Sequence, residues 1–224
     1  MRDALFARSL RPGDFLGTES DLAARFGVSR IVARDALRTL QALGIAEIKM
    51  GKGGGARVAR GNPALFAEAL AVQLELTRVS AAEIVDAQRA IECLAAELAA
   101  EHATEAELAE LERLLTVAER TITDPAAYTR ACRDFHLAIA RASHNRVLEV
   151  QLASLQHVPW PKDNRTLTAK VARRILEVHR ELAVLLARRD AAGARALMNE
   201  HVKMIRDRRS AERDSERSDR LACC

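Results

Sequence analysis

The stretch of sequence that decides the fold is GVSRIVARDALRTLQALG, residues 27–44. It spaces Arg30, Arg34 and Arg38 four residues apart within a segment of helical periodicity. Like charges at this spacing repel by about 0.2–0.5 kcal/mol per pair. The three arginines therefore either form a solvated face of the helix or bind an anionic partner outside it. The apolar residues gather on another side: Val32, Ala33, Ala36, Leu37, Leu40 and Leu43. We predict an amphipathic helix with outward arginines.

The residues immediately before this helix predict a second, shorter helix. In the segment TESDLAARFGVS, residues 18–29, Thr18 is the predicted N-cap of this helix and Gly27 its predicted end. Ser29 is predicted to cap the next helix. The apolar face of the short helix consists of Leu22, Ala23 and Phe26. Two short helices joined by a glycine-containing turn are typical of the helix-turn-helix, whose second helix enters the DNA major groove.

A glycine-rich hairpin is predicted to follow the arginine helix. The pieces IAEIKM, residues 45–50, and ARVA, residues 56–59, are β-like and flank GKGGG at 51–55. The alternative is a phosphate-binding loop of a nucleotide enzyme, but the GxxxxGK[ST] order is missing and no helix pattern follows. We interpret the hairpin as the wing of a winged helix.

Composition favours a mostly α protein with two modest domains. The chain has 224 residues, of which 49% are hydrophobic, but only 5 Phe, 1 Trp and 1 Tyr. Alanine, leucine, arginine and glutamate dominate, as in packed helices. The 4 cysteines show no disulfide framework, and there is no signal segment or long apolar run. These features predict a reduced, cytoplasmic protein without a membrane partner.

The positive charge is concentrated at the N-terminal end of the chain. Residues 1–61 contain 11 Lys or Arg against 6 Asp or Glu, whereas the remainder contains 24 against 25. A basic head on a near-neutral body is typical of a polyanion-binding module joined to a domain with another task.

Residues 10–59 resemble the DNA-binding domain of the GntR family of bacterial transcription regulators. The resemblance places Ser29, Arg30 and Arg34 at the start of the recognition helix, and Gly53 at the wing tip, which enters the minor groove. Gly17 departs from the family by replacing a proline. The predicted DNA-binding residues are Ser29, Arg30, Arg34, Arg38, Lys52 and Gly53.

From Leu65 onward the apolar residues recur at helical spacing, which predicts an all-α bundle. The predicted breaks between helices are Thr104, Asp124–Pro125, Pro159–Pro161 and Ala192–Gly193. The predicted domains are a winged helix-turn-helix at 1–61, an effector-binding and dimerisation domain at 62–208 and a charged, disordered tail at 209–224. Cys223 and Cys224 at the end of the tail are expected to be exposed thiols.

The body, about residues 65–205, resembles the effector-binding domain of the FadR branch of that family. Many of its members bind a divalent metal through an Asp and three His; here His136, His179 and His201 match the histidines, and Cys132 stands at the Asp position. Residues i and i+4 share a helix face, and a thiolate would favour a softer ion such as zinc. Asp134 points to another side of the helix. The unmatched histidines, His102, His144 and His157, are expected to be surface or hydrogen-bonded residues.

Arg89 is the predicted effector-binding residue. It lies within an otherwise apolar helix, where a buried guanidinium needs an anionic partner. That partner is either Glu92 or a residue of a neighbouring helix, or else the carboxylate of a ligand, since the resemblance implies that the protein senses a small organic acid.

These observations predict a homodimeric, ligand-responsive regulator that reads a palindromic operator. One alternative is a metal-dependent hydrolase, although no general base stands in an order such as H-E-x-x-H. Another is an architectural DNA-binding protein that needs no ligand.

Overall fold

The structure is a computed structural model that describes residues 10–51, 53–157 and 167–205. The chain divides into two compact units, with the boundary between Phe66 and Ala67. We call the first unit the head and the second the body.

The head contains two short helices and a small sheet. Its elements are β1 (Phe15–Gly17), α1 (Glu19–Phe26), α2 (Arg30–Ala42), β2 (Ala46–Lys49) and β3 (Gly55–Val58). The sheet is antiparallel in the order β1-β3-β2. The β2–β3 hairpin confirms the predicted wing, whereas β1 was not predicted because three residues carry no alternating pattern.

The predicted helix caps of the head are confirmed. The side chain of Thr18 accepts a hydrogen bond from the backbone N–H of Asp21, whose carboxylate accepts one from the Thr18 N–H. Gly27 ends α1 in the left-handed conformation, with φ 67°. Ser29 caps α2. The turn geometry of this helix-turn-helix is therefore set by local residues.

The head has a smaller core than the sequence predicted. The buried cluster consists of Leu22, Ala23, Ala33, Leu37 and Ala56, with Leu16, Leu40 and Ile48 against it. Phe26, Val32, Ala36 and Leu43 were predicted to pack but are exposed. The reason is that two short helices and a three-stranded sheet cover only the narrow stripe of α2 formed by Ala33, Leu37 and Leu40.

The rest of the described chain is helical, which confirms the mostly α fold. The helices are α3 (Pro63–Leu76), α4 (Ala81–His102), α5 (Glu105–Arg120), α6 (Pro125–Ala142), α7 (Arg146–His157), α8 (Ala169–Ala187) and α9 (191–205). None of the described helices is long and apolar enough to cross a membrane.

Small residues let the helices of the body approach closely. On α4, Ala96, Ala99 and Ala100 are fully buried and contribute to one core with Phe135 of α6 and Leu182 of α8. Such close packing fixes the relative positions of helices better than a loosely filled core would.

A buried hydrogen bond joins α6 to α8. The Tyr128 hydroxyl donates to the backbone C=O of Ala172 over 2.6 Å. Tyr128 is itself almost completely buried, so this bond is shielded from water.

Two predicted helix breaks in the body are confirmed, and one is wrong. Thr104 caps α5, and Asp124 caps α6 with Pro125 at its first turn. Gly193, in contrast, lies inside α9, and its N–H donates to the carboxylate of Asp190 over 2.9 Å. The break lies before Ala191 because Asp190 caps the helix there. Pro159–Pro161 and the tail 209–224, with Cys223 and Cys224, lie outside the described residues.

Candidate functional site

Helix α2 presents its predicted arginines to the surface. Its cap Ser29 accepts a hydrogen bond from the N–H of Val32 over 3.3 Å. The side chains of Arg30, Arg34 and Arg38 are exposed. Among the described residues, no carboxylate forms an ion pair with them. This column of guanidinium groups is available to an anionic partner.

The wing tip is built for close approach of the backbone. Gly53 has a φ of 78°, and a Cβ on Gly54 would lie only 2.4 Å from the carbonyl oxygen of Lys49. Both positions therefore require glycine. The resulting narrow tip suits a groove about 6 Å wide, such as the DNA minor groove. Lys52, another predicted contact, lies outside the described residues.

Three histidines from three helices meet in the body. His136 of α6, His179 of α8 and His201 of α9 are all buried. One ligand nitrogen from each lies within 4.8 Å of the others. The Nε2 atoms of His179 and His201 are 3.1 Å apart, and ring centroids are separated by 4.8 to 5.3 Å. The fold thus assembles the three residues that the resemblance matched.

The histidine cluster fits a divalent metal such as zinc. Burial, together with the charges of His136 and His201, lowers the pKa of His179 well below its usual value, so its ring is neutral. The Nδ1 atom of His179 is buried and has no hydrogen-bond partner among the described residues. Neutral imidazoles are zinc ligands, and a bound ion would relieve the cost of burying several ring nitrogens together.

A cavity of about 110 Å³ opens beside the histidine cluster. Its polar lining includes Gln88 of α4, Thr129 and Arg133 of α6, and Gln156 of α7. The histidine rings line the same cavity. Since about 10–15 Å³ of such space is enough for one water molecule, the cavity can hold a small organic ligand.

Neither Cys132 nor Arg89 belongs to the cluster of histidine ligand atoms. Cys132 lines the cavity one turn before His136, whereas the clustered ligand atoms come from the histidines. Arg89 is half-buried, and its Nη2 lies 3.8 Å from Oδ1 of Asp86. Gln88 lines the cavity, whereas Arg89, the next residue in the chain, does not.

Glu92 is the site residue that the sequence analysis missed. The alternative of an Arg89–Glu92 salt bridge is wrong, because Oε2 of Glu92 lies 2.9 Å from Nδ1 of His136. The available signal was the buried stripe of α4, where Glu92 shares a face with Val85 and Ala96. A carboxylate on that face had to meet a group of another helix.

Two of the remaining histidines, His102 and His144, are exposed and hydrogen-bonded. His144 Nε2 lies 3.0 Å from Glu107, and His102 Nδ1 lies 2.9 Å from the carbonyl oxygen of Leu98. Both agree with the prediction of hydrogen-bonded residues. The side chain of His157 lies outside the described part of the chain.

Comparison with known proteins identifies both units. Residues 83–204 match the FCD domain family, and residues 1–55 match the family described as bacterial regulatory proteins, gntR family. An HTH-type transcriptional regulator of Bacillus subtilis, YcbG, is 31% identical over 204 residues, which cover 91% of this chain and 84% of YcbG. The Uxu operon regulator of Haemophilus influenzae is 29% identical over 204 residues, with 87% and 73% covered.

A solved structure has the same fold. Streptococcus agalactiae GntR superposes with a TM-score of 0.64 at 22% identity, over 92% of this chain and 94% of that one. With the exposed arginines, the wing and the helical body, these matches show that the chain belongs to the GntR family of bacterial regulatory proteins, with an FCD domain, and is a transcription regulator rather than an enzyme.

Proposed function

We propose that this protein is an effector-controlled regulator that binds a palindromic operator as a homodimer in the bacterial cytoplasm. Residues 1–61 are the DNA-binding domain in this proposal, and residues 62–208 bind the effector and dimerise. The exposed arginine column of α2 beside the glycine wing carries the proposal. Two heads related by a two-fold axis would each read one half of the operator.

The head binds DNA through helix α2 and the wing. Helix α2 lies in the major groove in this proposal, with Ser29 and Arg30 at its leading end. Arg34 and Arg38 contact phosphates or guanine edges, for which the guanidinium fork is suited. Gly53 and Lys52 approach the minor groove from the wing.

The effector is a small organic acid bound in the cavity of the body. A divalent metal, with zinc best matched to the imidazoles, is held by His136, His179 and His201, and Cys132 is a further proposed ligand. The metal supplies a positive anchor for carboxylate oxygens. Arg133 lines the cavity, and Arg89 follows the lining residue Gln88 in the chain, so each is a candidate partner for the acid.

Regulation follows if the acid binds one arrangement of the dimer better than another. A coupling free energy of about 1–3 kcal/mol would change the operator affinity some 5- to 150-fold. The acid thereby shifts the population between arrangements with different DNA affinity.

A titration of labelled operator DNA with zinc-loaded protein tests the proposal. A panel of small hydroxy acids and dicarboxylic acids is added, and one class of acid is expected to change the operator affinity. If no acid does so although the operator is bound, the protein is an architectural DNA-binding protein instead.

Two arginine variants then locate the residue that senses the acid. Arg133→Ala and Arg89→Ala are compared with Arg113→Ala, which alters an exposed arginine of α5 paired with Glu110. The variant that loses the response to the acid but binds the operator normally without it identifies the carboxylate partner. If both respond like the Arg113→Ala control, neither arginine holds the acid.

A further inference from the structure

Glu92 is a buried carboxylate whose position requires an explanation. It lies on α4, is only 7% exposed, and lines the cavity beside the histidines. Its Oε2 is 2.9 Å from Nδ1 of His136, which is equally buried. The two groups are at ion-pair distance, but their orientation is not that of a hydrogen bond.

The charge balance of the site calls for a cation. A carboxylate taken out of water is costly unless a positive charge compensates it. The group next to Glu92 is the imidazole of His136, which belongs to the histidine cluster. A divalent ion held by that cluster would supply the compensating positive charge.

The placement of Glu92 favours an indirect role. The ligand atoms that lie within 4.8 Å of one another belong to the histidines and not to Glu92. Glu92 lies beside Nδ1 of His136, and this contact does not involve the other ring nitrogen, Nε2. A carboxylate that accepts the N–H of a metal-ligating histidine orients the ring and increases its basicity, and the 2.9 Å separation places Glu92 within reach of that role.

We propose that Glu92 is a positioning residue for metal binding, acting through Nδ1 of His136. This inference rests on the proposed metal site, but it assigns to α4 a part in a site otherwise built from α6, α8 and α9.

The test compares the metal affinity of Glu92→Gln with that of the natural protein. Chelator-treated protein is titrated with Zn²⁺ and separately with Co²⁺, whose visible absorption reports its direct ligands. We expect about 10- to 100-fold weaker binding in the variant, with the same stoichiometry at saturation and the same Co²⁺ spectrum. Glu92→Asp, which keeps the charge, is expected to recover part of the affinity.

Glu101→Gln is the matched control, since it makes the same chemical change at an exposed position of the same helix. It should bind both metals normally. Unchanged affinity in Glu92→Gln would overturn the inference, and a changed Co²⁺ spectrum would overturn it in favour of direct ligation. If Glu92→Gln does not fold, Glu92→Asp is the deciding variant. Weaker metal binding by Glu92→Asp with an unchanged Co²⁺ spectrum would support the positioning role, whereas normal affinity or an altered spectrum would count against it.

The outcome for the natural protein separates this inference from the proposed function. If the natural protein binds neither metal, the metal-dependent function fails, and the inference fails with it. If the natural protein binds metal and Glu92→Gln binds equally well, only the role of Glu92 is lost.

Discussion

The head and the body arrange their functional groups in opposite ways. In the head, Arg30, Arg34 and Arg38 stand exposed on one helix and have no carboxylate partner among the described residues. In the body, His136, His179 and His201 come from separate helices and are all buried. The head depends on one correctly capped helix, whereas the body depends on the packing of several helices.

The two units are therefore expected to respond differently to substitutions at their functional residues. An exposed arginine can be removed without leaving a cavity or an unpaired buried group, so the head should lose DNA affinity but not its fold. A buried histidine fills space in a packed core, so its removal alters both ligand binding and stability.

The largest effect is expected for His179→Ala. Loss of this imidazole should reduce the metal content from about one ion per chain to nearly none, because a zinc site that loses one of its three histidine ligands binds the ion far more weakly, even if Cys132 remains as a ligand. Operator affinity without an effector should not change, since the arginines lie in the head. Elemental analysis of protein purified without chelator measures the metal. His144→Ala, a surface histidine, is the control; full metal content in His179→Ala would contradict the proposed site.

Arg34→Ala is expected to weaken operator binding by about 1–3 kcal/mol and to make it less sensitive to salt. The circular dichroism spectrum should match that of the natural protein, because the Arg34 side chain is exposed. A DNA titration at fixed salt measures the affinity, with Arg113→Ala in the body as control. Equal affinity for the two variants would remove Arg34 from the interface.

In metal-stripped protein, the pH dependence of the free energy of unfolding should show that His179 is unprotonated in the folded state. Burial lowers its pKa below the usual value of 6.5, so the unfolded chain takes up a proton near that pH while the folded chain does not. The free energy of unfolding should therefore fall as the pH drops below 6.5, by up to about 1.4 kcal/mol per pH unit.

Urea unfolding at pH values on both sides of 6.5 measures this dependence, and the difference from His179→Asn isolates one residue. The variant should show a shallower decline on acidification. Parallel curves for the two proteins would mean that His179 is not held neutral by the fold.

The smallest effects are expected for the helix caps. Thr18→Ala in the head and Thr104→Ala in the body should each cost about 1 kcal/mol of stability. The side chain of each threonine accepts a hydrogen bond from the backbone N–H of the third helical residue. The carboxylate of that residue, Asp21 or Glu107, accepts one from the backbone N–H of the threonine. Denaturant unfolding measures both; a neutral result for either would show that the carboxylate alone caps that helix.

Local features of the head could be predicted from the sequence. Thr18, Gly27 and Ser29 act on backbone groups a few residues away, so their residue types are sufficient evidence. Strand β1 could not be predicted, because Phe15–Gly17 is defined by its pairing with β3 much later in the chain. The exposure of Phe26 likewise depends on how little surface the small sheet covers.

The body shows a similar limit. The three histidines were found because a family pattern connects distant positions, and their physical proximity followed from packing. Glu92 was missed because its partner, His136, lies on another helix and no local signal links the two. Gly193 was misjudged as a break because glycine inside a helix costs only about 1 kcal/mol, which the cap at Asp190 and the packing of α9 offset.

The Tyr128–Ala172 hydrogen bond has a consequence for the proposed metal site. It joins α6 and α8 roughly two turns before His136 and His179, measured along each helix. The two rings are thus held in register by a bond that does not involve them. An ion bound by the proposed site would find two of its ligands already oriented, so little of its binding free energy would be consumed in ordering helices. In that case Tyr128 would stabilise the metal site from a distance, without contacting the metal.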